Sequence, residues 1–291
     1  MMMLAAASGG QVNVGEMVLH HTADAYAVGI EPFFLYRWAK WPDVHLGPLT
    51  VNFTPTKHVI FLVLAAVLVF VTMRLAGNAL QRQRAGSQAP RGFAAAMEGL
   101  VLFVRNDICI ANIGHGGEKF APFIMTMFFL ILYSNVLGLI PHGSSPTGNL
   151  AVTAALAILV FLTVEIAGAI KLGFKGYLAT VFPHFPGLHG PGAVALAIAM
   201  APIEILGKLV KPFALAVRLF GNMTAGHFVI LSLFGIIFLF GHLAGWNYVI
   251  GITTASLVVG IYLLELLVAF LQAYVFALLS SVFIGLMQHE H

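Results

Sequence analysis

Polar and apolar positions divide this chain into long apolar stretches joined by short polar ones. Val59–Met73 is apolar except for Thr72, and the span reaches Leu80 once the Arg74 side chain snorkels. It runs into QRQRAGSQAPR, a basic loop containing Gly and Pro. Over residues 93–108, Phe93, Met97, Leu100, Val104 and Ile108 fall on one helical face, which suits an amphipathic helix lying in the membrane interface. Phe120–Ile140 carries no charge and predicts a second span. The turn residues Pro141–Asn149 then return Leu150–Ile170 as an antiparallel neighbour. Residues 171–192 are rich in Gly and Pro and read as a loop.

The last hundred residues differ. From Ala193 to Phe240 only Pro202 and Pro212 interrupt a helical pattern. As single helices, 193–240 would reach about 72 Å and 246–287 about 63 Å, each over twice the ~30 Å hydrocarbon core. The short joint between them favours two steeply tilted helices in a hairpin over four perpendicular crossings. The expected fold is an all-α polytopic membrane protein. It has about five membrane helices (about 58–80, 120–140, 150–171, 193–240 and 246–288) plus the interfacial amphipathic helix. Ahead of this membrane domain (57–291), residues 1–56 are mixed polar and aromatic, broken by Pro32, Pro42, Pro48 and Pro55. They read as an extramembrane tail near the surface, with a short amphipathic piece from Val14 to His21 and an anchor at Trp38 and Trp41.

Composition agrees. The 291 residues are 60% hydrophobic and 9% charged, against about 25% charged in soluble domains; mean hydropathy is +0.95. The net charge of +3 is spread over the loops, so no nucleic-acid partner is expected. The start, MMMLAAASGG, lacks the basic n-region and apolar length of a secretory signal. Cys109 is the single cysteine, which excludes an internal disulfide and a multi-cysteine metal site; it reads as an inert apolar filler. The adjacent His20 and His21 read as surface residues. Basic residues set the orientation. Arg82, Arg84, Arg91, Arg105 and Lys119 make their loop cytoplasmic, whereas the 141–149 turn has no Lys or Arg and faces outward. Lys171 and Lys175 lie inside again, and Lys208 and Lys211 lie towards the inner half of the next segment. The N-terminus and the 241–247 joint are then outside and the C-terminus cytoplasmic.

No phosphate-binding glycine loop, HExxH pair or Ser/His/Asp set is present. The chain offers no site for breaking a covalent bond, and neither cofactor nor metal is expected. It offers instead a sparse set of ionisable and amide residues at membrane depth. Glu204, Lys208, Lys211, Leu215, Arg218 and Asn222 follow one another at steps of three or four, one polar stripe along an apolar helix. Arg218 is the last basic residue. A guanidinium at bilayer depth costs from ~2.5 to over 10 kcal/mol and survives only with a partner or a watery cavity. Further on, Glu265, Ala269 and Gln272 share a face, and the small residues Ala269, Ala273 and Ala277 let another helix come close. His227 lies about 13 Å beyond Arg218 along its helix. His and Glu exchange protons, and arginine does not. A fixed positive charge beside His, Glu and Gln reads as a proton path next to an electrostatic barrier. Plainer readings stand beside this one. Arg218 and Glu265 could instead form a buried ion pair, Glu204 and Lys208 an ordinary i, i+4 pair, Glu165 could be a snorkelling end residue, and Asn135 a helix–helix hydrogen bond.

RLFGNMTAGH, with PIEILGKLVKPFALAV before it and LLELLVAFLQAYVFALLSSVFI after it, closely resembles the membrane subunit a of F-type ATP synthases. The match reaches back through KFAPFIMTMFFLILYSNVLGLIP and NLAVT, so it covers roughly residues 90–291. The resemblance implies a proton-translocating stator in the inner membrane of a bacterium, not catalytic by itself. Its implied partners are a ring of c subunits, b-type peripheral stalk subunits, the rest of the synthase, the lipid bilayer and protons. It also implies two offset half-channels leading to the ring carboxylates. Arg218 matches the family's essential arginine, and Asn222 and Gln272 match polar positions flanking it. His227 and Glu265 match the outer half-channel pair, exchanged between the two helices relative to some members. Asn135 fits the outer path, where Gly138 replaces an acidic residue of some relatives. Glu204 fits the inner path, and Glu165 joins the set. Two other classes make different predictions. An autonomous channel or antiporter conducts without a ring, and a structural scaffold tolerates changes at Arg218, Glu265 and Gln272. The chain has no inverted repeat and does have the RLFGN segment, which speaks against both.

Overall fold

The computed structural model describes residues 26–30, 34–46, 49–52, 54–86, 91–140, 143–182, 190–240 and 246–289. From Lys57 onward every described element is helical. The longer helices are α1 (Lys57–Ala85), α2 (Phe93–Phe103), α3 (Ala121–Leu139), α4 (Leu150–Ala179), α5 (Pro191–Phe240) and α6 (Trp246–His289). Among the described residues four helices are long and apolar enough to cross a membrane: α1, α3, α4 and α6. α5 spans 50 residues, about 75 Å. It keeps Pro202 and Pro212 in its interior, where each removes one backbone hydrogen bond.

The segment before α1 is not featureless. Ala27–Ile30 (β1) pairs antiparallel with Phe34–Arg37 (β2), and Val44–Leu46 (β3) with Leu49–Val51 (β4). Trp38 donates its indole N–H to the Pro55 carbonyl at 2.8 Å, which ties this region to the start of α1; Trp41 is exposed. The expected amphipathic piece at 14–21 and the histidines 20 and 21 lie outside the described residues.

Two differences from the sequence reading concern helix continuity. α2 continues through a π-helical turn, Val104–Ile110, into a last turn, Ala111–Ile113. Of the expected apolar face, Met97, Val104 and Ile108 are buried while Phe93 is exposed. Cys109 is buried here and directs its thiol to the Gly117 carbonyl at 3.3 Å. Burial pushes that thiol up to about 11, against a smaller opposing effect of Arg105. The thiol therefore stays protonated at neutral pH, and maleimide is expected to label Cys109 only after unfolding, as mass spectrometry of labelled vesicles would read.

The second difference is at 171–179, read as loop but helical. α4 runs on to Ala179 through a break at Gly173, whose φ of 67° and ψ of 173° only glycine adopts without strain. The glycines and prolines of 171–192 lowered the helical signal, yet at 171–179 a single kink absorbs the irregularity.

The chain forms two compact units. The first contains Met1–Val67, Leu132–Val152 and Leu219–Leu271, and the second Leu68–Ile131, Thr153–Arg218 and Gln272–His291. α5 and α6 meet in each. Gly226 lies against Glu265 in the first, and Lys211 lies over the Phe283 ring at 5.5 Å in the second. In the second unit a Cβ at Gly285 would strike the Asn112 carbonyl oxygen, so this glycine lets α6 pass the end of the α2 segment at backbone contact. Ala273 and Ala277 of α6 are fully buried there. Val63, Val67 and Phe70 of α1 are exposed, as suits a surface covered by lipid.

Candidate functional site

The first unit holds Asn135, Asn222, His227 and Glu265. Glu265 is 8% exposed, and neither of its carboxylate oxygens has a hydrogen-bond partner among the described residues. Its position depends on Gly226 of α5. A Cβ there would overlap Oε1 of Glu265, so any other residue obliges the carboxyl group to move. One residue further, His227 places Nδ1 3.0 Å from the Met223 carbonyl and Nε2 3.1 Å from the Gly138 carbonyl. Both contacts are to acceptors. A neutral imidazole donates to one of them, and the protonated ring donates to both. Asn222 is exposed on α5.

Asn135 is fully buried and its hydrogen bonds are committed. Its amide donates to the Ala269 carbonyl at 3.2 Å, and its carbonyl accepts from the Thr147 hydroxyl at 2.6 Å. It thus links α3 to α6, the plainer of the two sequence readings. Thr147 is part of a buried polar cluster that the sequence reading passed over as turn and span boundary. The Ser145 hydroxyl lies 2.7 Å from that of Thr147, and His58 Nδ1 lies 3.0 Å from both the Ser144 hydroxyl and the Ser145 carbonyl. Lys57, also buried, lies within electrostatic reach of His227. A charged and a titratable residue at the head of an apolar span was the available signal. Gly138 belongs to the same construction, because a Cβ at this position would collide with Ser145. Thr147→Val leaves the buried Asn135 carbonyl without its donor. The expected cost is about 1–3 kcal/mol, read as a lower unfolding midpoint of the detergent-solubilised protein.

The second unit holds Glu165, Glu204, Arg218 and Gln272. Arg218 is exposed, and it makes no hydrogen bond or ion pair among the described residues. The stretch of α5 that precedes it is apolar, with Phe213 and Val217 exposed at 68% and 40%. Gln272 is buried. Glu165 and Glu204 line one cavity of about 40 Å³ together with Lys208, Lys211 and Phe283. At the ~10–15 Å³ that one water needs, it has room for a few. The i, i+4 pairing of Glu204 with Lys208 is not formed. Lys208 instead lies 3.7 Å from Glu165 and 2.7 Å from the Thr180 hydroxyl.

Residues 58–285 match the family described as ATP synthase A chain. Similar proteins include the ATP synthase subunit a 2 of Chlorobaculum tepidum, 45% identical over 276 residues that cover 94% of this chain and 72% of that protein. The ATP synthase subunit a of Chloroherpeton thalassium is 42% identical over 273 residues, 94% of this chain and 77% of that protein. That of Anaeromyxobacter dehalogenans is 39% identical over 289 residues, with 95% and 71% covered. The profile match and the relatives together span the four apolar helices and the RLFGN segment. On these grounds the chain belongs to the ATP synthase A chain family.

Proposed function

We propose that this chain is the proton-translocating stator subunit of a bacterial ATP synthase and that Arg218 separates its two half-channels. The observation that carries the reading is the exposed Arg218 on an apolar stretch of α5, without a partner among the described residues. A permanently charged guanidinium exposed on an apolar membrane helix needs a counter-charge from another chain. The carboxylates of a c-subunit ring, passing one at a time, are that counter-charge. Asn222, one turn further and also exposed, faces the same partner. The outer path uses His227 and Glu265, whose carboxyl oxygens are not committed to structural bonds. Glu204, in its cavity with room for water, serves the inner path, and Gln272, buried on α6, is assigned to the path only by the resemblance. In this reading residues 1–56 lie outside the membrane, the N-terminus faces outward, α5 and α6 are steeply tilted, and b-type stalk subunits hold the chain against rotation.

The chemistry is consistent with an energy-collecting role. A proton crossing 100 mV delivers about 2.3 kcal/mol, and that energy reaches the ring only if no proton crosses without turning it. Cysteine cross-linking tests the contact. With Asn222→Cys and a cysteine placed beside the ring carboxylate, oxidation is expected to give a disulfide between this chain and a c subunit. The thiol of Cys109 is buried and stays out of the reaction. No cross-link from position 222, with ready cross-linking from the opposite face of α5, sinks the proposed interface.

A further inference from the structure

The inner cavity contains a feature that the proposed function does not use: Lys208 is held away from Glu204. On a helix, Glu followed by Lys four residues later is the favourable orientation for an ion pair, and both residues line the same cavity. Yet Glu204 makes no hydrogen bond or ion pair among the described residues. The Lys208 ammonium is bound elsewhere, by three groups of α4 and its end. It donates to the Thr180 hydroxyl at 2.7 Å, lies 3.7 Å from Glu165 Oε2, and sits 4.9 Å from the centre of the Tyr177 ring. The holding groups are themselves held. Tyr177 donates its hydroxyl to the same Glu165 oxygen, and Thr180 donates to the Tyr177 carbonyl at 2.8 Å. Lys208 and Glu165 are 11% and 14% exposed, so solvent competes little for either.

The break at Gly173 makes this assembly possible. Glu165 and Tyr177 are twelve positions apart, which in a straight helix separates them by about 18 Å along the axis. With φ positive at Gly173, the last turns of α4 bend and the Tyr177 hydroxyl returns to Glu165. Lys211, the other cation lining the cavity, is drawn to the Phe283 ring. The remaining lining residues named from α6, Leu286 and Met287, carry no charge.

We infer that Glu165, Tyr177 and Thr180 form a clamp that holds Lys208 off Glu204 and so keeps the Glu204 carboxylate free to exchange protons. Glu165 is thus a positioning residue acting through Lys208. This inference rests on the reading of Glu204 as part of the inner proton path.

The test uses the assembled complex in inverted vesicles, with ATP-driven proton pumping as the readout and the amount of assembled complex measured alongside. Glu165→Gln frees Lys208 to pair with Glu204, and pumping is expected to fall about tenfold, a modest demand on an ion pair in surroundings of intermediate dielectric. Adding Lys208→Gln removes the intruding charge, and the double variant is expected to recover most of the pumping. A residue that only supports packing, or one that carries the proton itself, is not rescued by that second change. Normal pumping by Glu165→Gln overturns the clamp, and so does a loss that Lys208→Gln leaves unrepaired. Should Glu165→Gln fail to assemble, Tyr177→Phe loosens the same carboxylate by one hydrogen bond. It is expected to give a smaller loss with the same rescue, and absence of rescue again overturns the clamp. Arg218→Ala and Glu204→Gln, run in parallel, report on the stator and inner-path readings. Loss of pumping in both with a normal Glu165→Gln refutes the clamp alone.

Discussion

Replacing Arg218 by alanine is expected to abolish ATP-driven proton pumping in inverted vesicles while the complex still assembles. The residue makes no hydrogen bond or ion pair among the described residues, so its removal breaks no polar contact there. On the proposed mechanism, what it removes is the fixed charge that a ring carboxylate meets as it passes. An ion pair at 4 Å in surroundings of effective dielectric ~20 is worth about 4 kcal/mol. Losing that much stabilisation at an obligatory step slows rotation by several hundredfold or more. Arg218→Lys is expected to fail as well, because a desolvated ammonium surrenders its proton and becomes a carrier where a barrier is needed. Pumping retained by Arg218→Ala would leave the arginine with no role in the motor.

The second large effect is expected at Glu265. Glu265→Gln keeps the size of the side chain and removes its capacity to bind and release a proton. Pumping should fall by about 10²-fold or more, the lower end of what a positioned proton-transfer group contributes. Assembly should be preserved, since neither carboxylate oxygen anchors a hydrogen bond among the described residues. Gly226→Ala reaches the same group from the other helix. Its methyl occupies the space of Oε1, so the carboxyl group must move and pumping should fall although no titratable residue has changed. Unimpaired pumping by Glu265→Gln, measured in the same vesicles, would take this residue off the path.

Much of the fold was legible because burying a helix in lipid leaves a strong mark: uncharged runs of the right length, as in α3, and polar joints between them. The length of α5 and α6 followed from simple arithmetic on an unbroken pattern. What was not legible depended on distant partners. Lys208 had a good local partner in Glu204, and only the bend at Gly173 brings Tyr177 and Thr180 back to take it away. The same bend made 171–179 read as loop, since glycine is a weak signal in helices and a strong one in turns. The cluster of His58, Ser144, Ser145 and Thr147 was hidden for a related reason. Small hydroxyl residues in a turn look solvated until the fold buries them against Ser134 and Asn135. Asn135 was singled out among the polar residues at membrane depth, and the structure commits it to a helix–helix bond. Gly226 carried no motif of its own. Its role exists only because Glu265 lies opposite.

The most direct measurement is the passive proton permeability of vesicles carrying Arg218→Ala, after the water-soluble ATPase has been stripped from the membrane. If Arg218 separates two half-channels, a proton gradient imposed on these vesicles should collapse faster than one imposed on vesicles with the unaltered chain. The added leak should vanish when Glu265→Gln closes the outer path. Vesicles that remain as tight as those with arginine in place would mean that the barrier between the two sides of the membrane lies elsewhere.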